Sequence, residues 1–153
     1  MKRITPFIEK LNPEEIFVFG SNLDGHHAGG AARMAYDKFG AKWGVGVGFT
    51  GSCYAIPTMF FDCNDIRPYV DAFLKEASEL PEIRFYVTEI GCGIAGWRVE
   101  QIAPFFKDAM NMRNVWLPQR FIDVLNASVL DAEQVAKRFN QVAKTGLDVN
   151  KNT

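Results

Sequence analysis

The chain is short of the features that make several functions easy to recognise. It has three cysteines in 153 residues, Cys53, Cys63 and Cys92, and none form a Cys-x-x-Cys pair. An odd, unpaired set argues against a disulfide framework or a zinc knuckle and fits a reducing compartment. Histidines number only two, and they are adjacent: His26 and His27. Neighbouring side chains point apart, whereas a zinc site draws ligands from several elements, so no metal is expected. No charge sign dominates, with 17 Lys and Arg against 18 Asp and Glu. That balance excludes a broad nucleic-acid or membrane surface, which needs clustered cations. It leaves room for a single phosphate-bearing ligand held by backbone amides. No apolar run approaches the roughly 18–20 residues that span a bilayer. The start, MKRITPFIEKL, has basic residues but no apolar core and no small-residue cleavage site. It does not read as a signal peptide, and the expected location is cytoplasmic.

What is present is an alternation of strand and helix signals, with glycine at two of the joints. Residues 16–20 (IFVFG) read as a buried strand. Residues 29–39 read as a helix of small residues. Residues 43–51 alternate glycine with Val45, Val47 and Phe49 and read as a loop or irregular strand. Residues 54–57 read as a strand ended by Pro57. Residues 66–80 carry Ile66, Val70, Phe73, Leu74 and Ala77 at helical spacing. Residues 83–90 (IRFYVTEI), β-branched and aromatic, are the strongest strand signal. A helix over 99–112, a short strand at 115–117 and an amphipathic helix over 131–144 follow. In that last helix Val135, Phe139 and Val142 share a face and Asp131 is positioned to cap. The end, 146–153, reads as frayed.

Such alternation predicts an α/β sheet with helices on both faces. With no repeat, low-complexity tract or linker, residues 1–153 read as one domain, with a core over about 16–117 and a helical extension over about 118–145. Ligands of open α/β sheets sit outside the carboxyl ends of strands. Both glycine-bearing turns, after Phe19 and after Ile90, fall at such ends and can line one crevice.

The first turn, within VFGSNLDGHHAGGAA (residues 18–32), is neither of the common nucleotide-binding fingerprints, but it shares their physics. Gly25, Gly29 and Gly30 permit unusual backbone angles and close approach, and the following helix offers free N–H groups to an anion. It reads equally as a plain strand–helix connection. The second, Gly91-Cys92-Gly93-Ile94-Ala95-Gly96, packs three glycines into six residues and suits a second phosphate loop, with Trp97 placed to close over a sugar or base or to pack in the core. Asn22 is placed to cap the turn or to bind a sugar hydroxyl, and Asp24 to act as a base or as a turn residue. One of His26 and His27 is a candidate for acid–base work or a ligand hydrogen bond, His27 being the one selected for catalysis; each reads equally as a solvated loop histidine. Cys92 has no base beside it and reads as a packing residue.

Together these loops resemble macro domains. FGSNLDGHHAGGAA is similar to the first ligand loop of that family, and IGCGIAGW to its second. The wording is closest to a macro-like subfamily of phages and bacteria described as ADP-ribose-1″-phosphate phosphatase-like. In it FGSNL, GAA, YAIPT and IGCG-x-AG recur in this order, and the resemblance covers about residues 16–117. The resemblance implies an α/β/α macro fold of three layers around a mixed sheet, and an ADP-ribose-binding site with no cofactor. Asn22 matches the asparagine beside the distal ribose, with Gly20 and Ser21 leading into it, and Gly29 and Gly30 match the glycines next to that ribose. Gly91, Cys92, Gly93, Ile94, Ala95 and Gly96 match the loop that wraps the diphosphate, followed by Trp97. Departures are Ala28 in place of the first glycine of a triplet and Phe19 in place of a first asparagine. The implied activity is hydrolysis of a terminal phosphate or a distal-ribose ester, with Asp24 or His27 activating water. The alternatives are a binding module without turnover and a structural or partner-binding α/β protein.

Overall fold

A computed structural model describes residues 1–152, with side chains described as far as Gln141. The chain folds as an α/β protein around one mixed sheet. Strands β1 (Glu15–Ser21), β2 (Gly48–Thr50), β3 (Cys53–Pro57), β4 (Arg84–Val87) and β5 (Val115–Trp116) lie in the order β2-β3-β1-β4-β5. β1 runs parallel to both β3 and β4, and β4 is parallel to β5. Only β2, hairpinned to β3, is antiparallel.

Central β1 shows why the fold has two cores. Successive strand residues face opposite sides of a sheet. Phe17 and Phe19 enter one cluster with Ala32, Ala35 and Phe39 of the first helix region. Val18 enters the other, with Val70, Phe73 and Leu74 of the second helix and Phe106 and Phe121 beyond it. Apolar residues at consecutive positions of β1 are therefore needed, because helices cover both faces.

Helices α1 (Gly30–Lys38), α2 (Arg67–Ser78), α3 (Val99–Ile102) and α4 (Gln119–Asn152) connect or follow the strands. α2 begins with Pro68 in its first turn, where no N–H acceptor is required. The region 99–112 is not one α-helix. It splits into the single turn of α3 and a 3₁₀ stretch, Ala103–Asn111, with Pro104, which has no N–H to donate, at the junction. The expected strand over 83–90 is also shorter. Beyond Val87 the Thr88 N–H and Oγ1 both donate to Val18 O, at 3.1 and 2.8 Å, which ends the ladder on a turn.

The largest difference is at the C-terminal side. The expected start at Asp131 is not a helix start. α4 opens directly after Pro118 and runs for 34 residues, with Asp131 in mid-helix. Phe121, Ile122 and Leu125 bury its first turns, and no proline or glycine interrupts it before Gly146. It continues through 146–152, where the sequence suggests fraying. Val142, expected on its apolar face, and Thr153 lie outside the residues whose side chains are described. Among the described residues no helix is long and apolar enough to cross a membrane.

Candidate functional site

The strand order dictates where a cleft forms. From β1 the chain crosses through α1, on one face, outward to β3. From β4 it crosses through α3 and the 3₁₀ stretch, on the other face, outward to β5. The connections leaving the neighbouring strands β1 and β4 therefore diverge, and a crevice opens at their carboxyl ends. The structure has a cleft of about 360 Å³ there.

Both glycine-bearing turns line it. From the first come Gly20, Ser21, Asn22, Gly29 and Gly30; from the second come Gly91, Cys92, Gly93, Ile94 and Ala95. They meet at the floor, where a Cβ on Gly20 would lie 3.1 Å from Gly91 N. Across the top, the exposed side chain of Ile94 reaches Gly29, its Cδ1 3.0 Å from where a Cβ on that glycine would stand. Ten residues sixty positions apart thus share one cavity, as the strand-end rule predicts.

The first turn is tightly made. Asn22 Nδ2 donates to His26 O at 3.0 Å, and His26 N donates back to Asn22 Oδ1 at 2.9 Å. Its amide therefore staples the loop as an Asx-type turn. The segment 44–46 lies beneath: Gly44 N donates to Gly25 O at 2.9 Å, and Ser21 Oγ donates to Gly46 O. Thr58, just past β3, closes the side, its N–H and Oγ1 donating to Ser21 O at 2.9 and 3.3 Å.

Several residues lining the cleft carry backbone N–H groups without an acceptor among the described residues. Gly29 precedes α1 and has no side chain to cap it, so among the described residues the first-turn donors of Gly30, Ala31 and Ala32, all lining residues, have no capping acceptor. In the second turn Cys92 N, Gly96 N and Trp97 N bond within the loop, at 3.2, 3.0 and 2.9 Å. Among the described residues the N–H groups of Gly93, Ile94 and Ala95 have no acceptor. No Lys or Arg lines the cleft. Its carboxylate, Glu89, is held by Arg120 of α4 in a two-pronged contact at 2.6 and 3.0 Å. An anion entering here meets dipoles rather than cationic side chains.

Four expected site residues lie elsewhere. Asp24 is exposed and does not border the cleft. His27 is fully buried behind the first turn, its Nε2 2.9 Å from Lys42 O and its ring edge-on to Phe19 at 5.2 Å. Its Nδ1 has no partner among the described residues. A histidine so enclosed packs the loop rather than meeting a ligand. Trp97 does not close over the cleft; its Nε1 donates to Thr58 O at 2.8 Å, and the ring packs against the core. Gly96 also falls outside the lining. Cys92 lines the cleft, but burial, reinforced by the nearby Glu89 carboxylate, pushes its thiol up to about 11. It is a protonated packing residue near neutral pH.

Polar residues outside the predicted set also line the cleft: His26, Thr58, Thr88 and Glu89. Three of them sit one or two positions past the carboxyl end of a parallel strand, and that placement was the available signal. His26 stacks on half-exposed Trp43, centroids 5.3 Å apart, and Tyr36 meets the same indole edge-on at 5.7 Å. Among the described residues no group of three or more His, Cys, Asp and Glu is arranged to hold a metal ion. No family model, no curated protein and no solved structure matches the chain.

Proposed function

We propose that the cleft binds ADP-ribose or a close derivative, as a macro-like site. The diphosphate would lie between the first turn of α1 and the N–H groups of Gly93, Ile94 and Ala95, with the distal ribose beside Asn22. The supporting observation is that two sets of N–H donors without acceptors among the described residues, from separate strand ends, belong to residues lining one cleft that no Lys or Arg lines. Backbone donors recognise phosphate through geometry and partial charge, which suits a chain of net charge −1. A volume of about 360 Å³ lies within the range of small-molecule sites. Titration calorimetry with ADP-ribose, ADP, AMP and ribose 5-phosphate tests it. ADP-ribose should bind tightest, and absence of heat and of any thermal shift with all four refutes it.

The same reading includes hydrolysis of a terminal phosphate or a distal-ribose ester. Asp24 and His27 do not border the cleft, so Glu89 and His26 take the water-activating role in this proposal. The free N–H groups would stabilise developing negative charge. Phosphate release from ADP-ribose-1″-phosphate, lost in Glu89→Gln, supports turnover. Binding with no product by mass spectrometry makes the protein a binding module instead.

A further inference from the structure

α4 is two helices in one. Its first turns are anchored by buried Phe121, Ile122 and Leu125. From Asn126 through Gln141 every residue is exposed, including Val129, Val135 and Phe139, the last at 74%. At about 100° per residue, Val129, Ala132, Val135, Ala136 and Phe139 prolong the stripe that Phe121 and Leu125 dock on the body. A helix packed against nothing is marginal in water, and its stability comes from burial of such a stripe.

The flanking charges indicate what covers it. Asp131 and Arg138 fall on one side of the stripe, Glu133 and Lys137 on the other. We propose that the stripe is covered by that of a second copy, in an antiparallel pair with its two-fold axis at Val135. That axis sets Asp131 beside Arg138 of the second copy and Glu133 beside Lys137 of the second copy. It also sets Ala132 opposite Phe139 of the second copy, small against large. For that one axis position Glu133 and Lys137 are level, and the other two pairings are within one residue, about 1.5 Å, of level. A parallel pair in register would instead bring like charges to the same height, which is unfavourable. The exposed part, residues 126–141, spans about 24 Å. A two-helix contact of that length is small, so the dimer is weak, with a dissociation constant on the order of micromolar to tens of micromolar.

Sedimentation equilibrium of the full chain over about 1–200 μM tests this. A monomer–dimer equilibrium is expected, with Phe139→Glu monomeric and its circular dichroism and body melting retained, since Phe139 is exposed and belongs to neither buried cluster. Asp131→Arg and Arg138→Asp, seven residues apart and out of reach within one helix, should each weaken the dimer about three- to tenfold. Combined in one chain they should restore it, because the exchanged charges meet across the axis. A chain that is monomeric at every concentration overturns the proposal. So does a dimer that survives Phe139→Glu, or a double exchange that fails to rescue.

Discussion

The two walls of the cleft are built on opposite plans. The first, residues 20–30, is tied down on every side. Asn22 closes it internally, Ser21 and Gly25 bond to the 44–46 segment, Thr58 clasps its base, and His27 fills its interior. The second, residues 91–96, is held by three loop hydrogen bonds, presents free N–H groups and carries an exposed Ile94 at its tip. One wall is set before a ligand arrives; the other has few contacts to resist adjustment. Glycine serves rigidity in the first, where backbone passes against backbone, and access in the second.

Substitutions can break that contrast, and stability orders them. The greatest loss is expected for Gly25→Ala. Gly25 has φ +67°, and a Cβ there would sit 2.4 Å from Gly44 C and Val45 N. Urea unfolding should show a cost of about 3 kcal/mol or more, against about 1 kcal/mol for Gly44→Ala, whose Cβ meets nothing within 4 Å. Equal losses would mean that the 44–46 contact does not rigidify the first wall.

Asn22→Ala comes next. It removes both staples to His26 from a half-exposed position, at about 1 kcal/mol by the same measurement, and should weaken ADP-ribose binding by loosening the wall. Gly93→Val is expected to change stability by no more than about 0.5 kcal/mol, because the position is open, yet to abolish ligand heat in calorimetry by blocking the donors beside it. A stability loss as large as that of Gly25→Ala would show that the second wall is as constrained as the first. The smallest effect concerns Cys92. A thiol raised to about 11 stays protonated at pH 7.5, so peptide mapping should find iodoacetamide labelling at least about tenfold slower than for an ordinary cysteine. Labelling should accelerate only as pH climbs toward that value.

Much of this architecture could be read from local chemistry. β1, β3, α1 and α2 announce themselves because each has its own apolar period and its own stop signal, such as Pro57 or the residues before Pro81. That the two glycine turns can line one crevice is also legible, but their meeting depends on β1 and β4 being neighbours, which only the strand order shows. The sequence could not show which side chains turn inward. His26 and His27 are adjacent and chemically identical, yet one borders the cleft and the other is enclosed. Only the path of the 42–46 segment beneath them decides that. Gly44 and Gly46 looked like ordinary turn residues, although a Cβ on Gly46 would fall 2.0 Å from Asn22 O. The start of α4 is hidden in the sequence because Asn126, Ala127 and Ser128 interrupt its apolar pattern, while the tertiary anchor at Phe121 to Leu125 starts the helix a dozen residues before Asp131, the aspartate expected to cap it.

The sheet itself ends in stubs. β2 has three residues and β5 two, and the outer side of β5 is taken by the N-terminal segment, where Thr5 N donates to Leu117 O at 2.8 Å and Leu117 N to Arg3 O at 3.2 Å. Borders this short, one of them occupied, offer an incoming chain little of the row of free amides on which aggregates grow. A concentrated solution of this protein should therefore resist fibrous, sheet-driven precipitation. Any self-association is directed to a helical surface, where it stays finite and reversible.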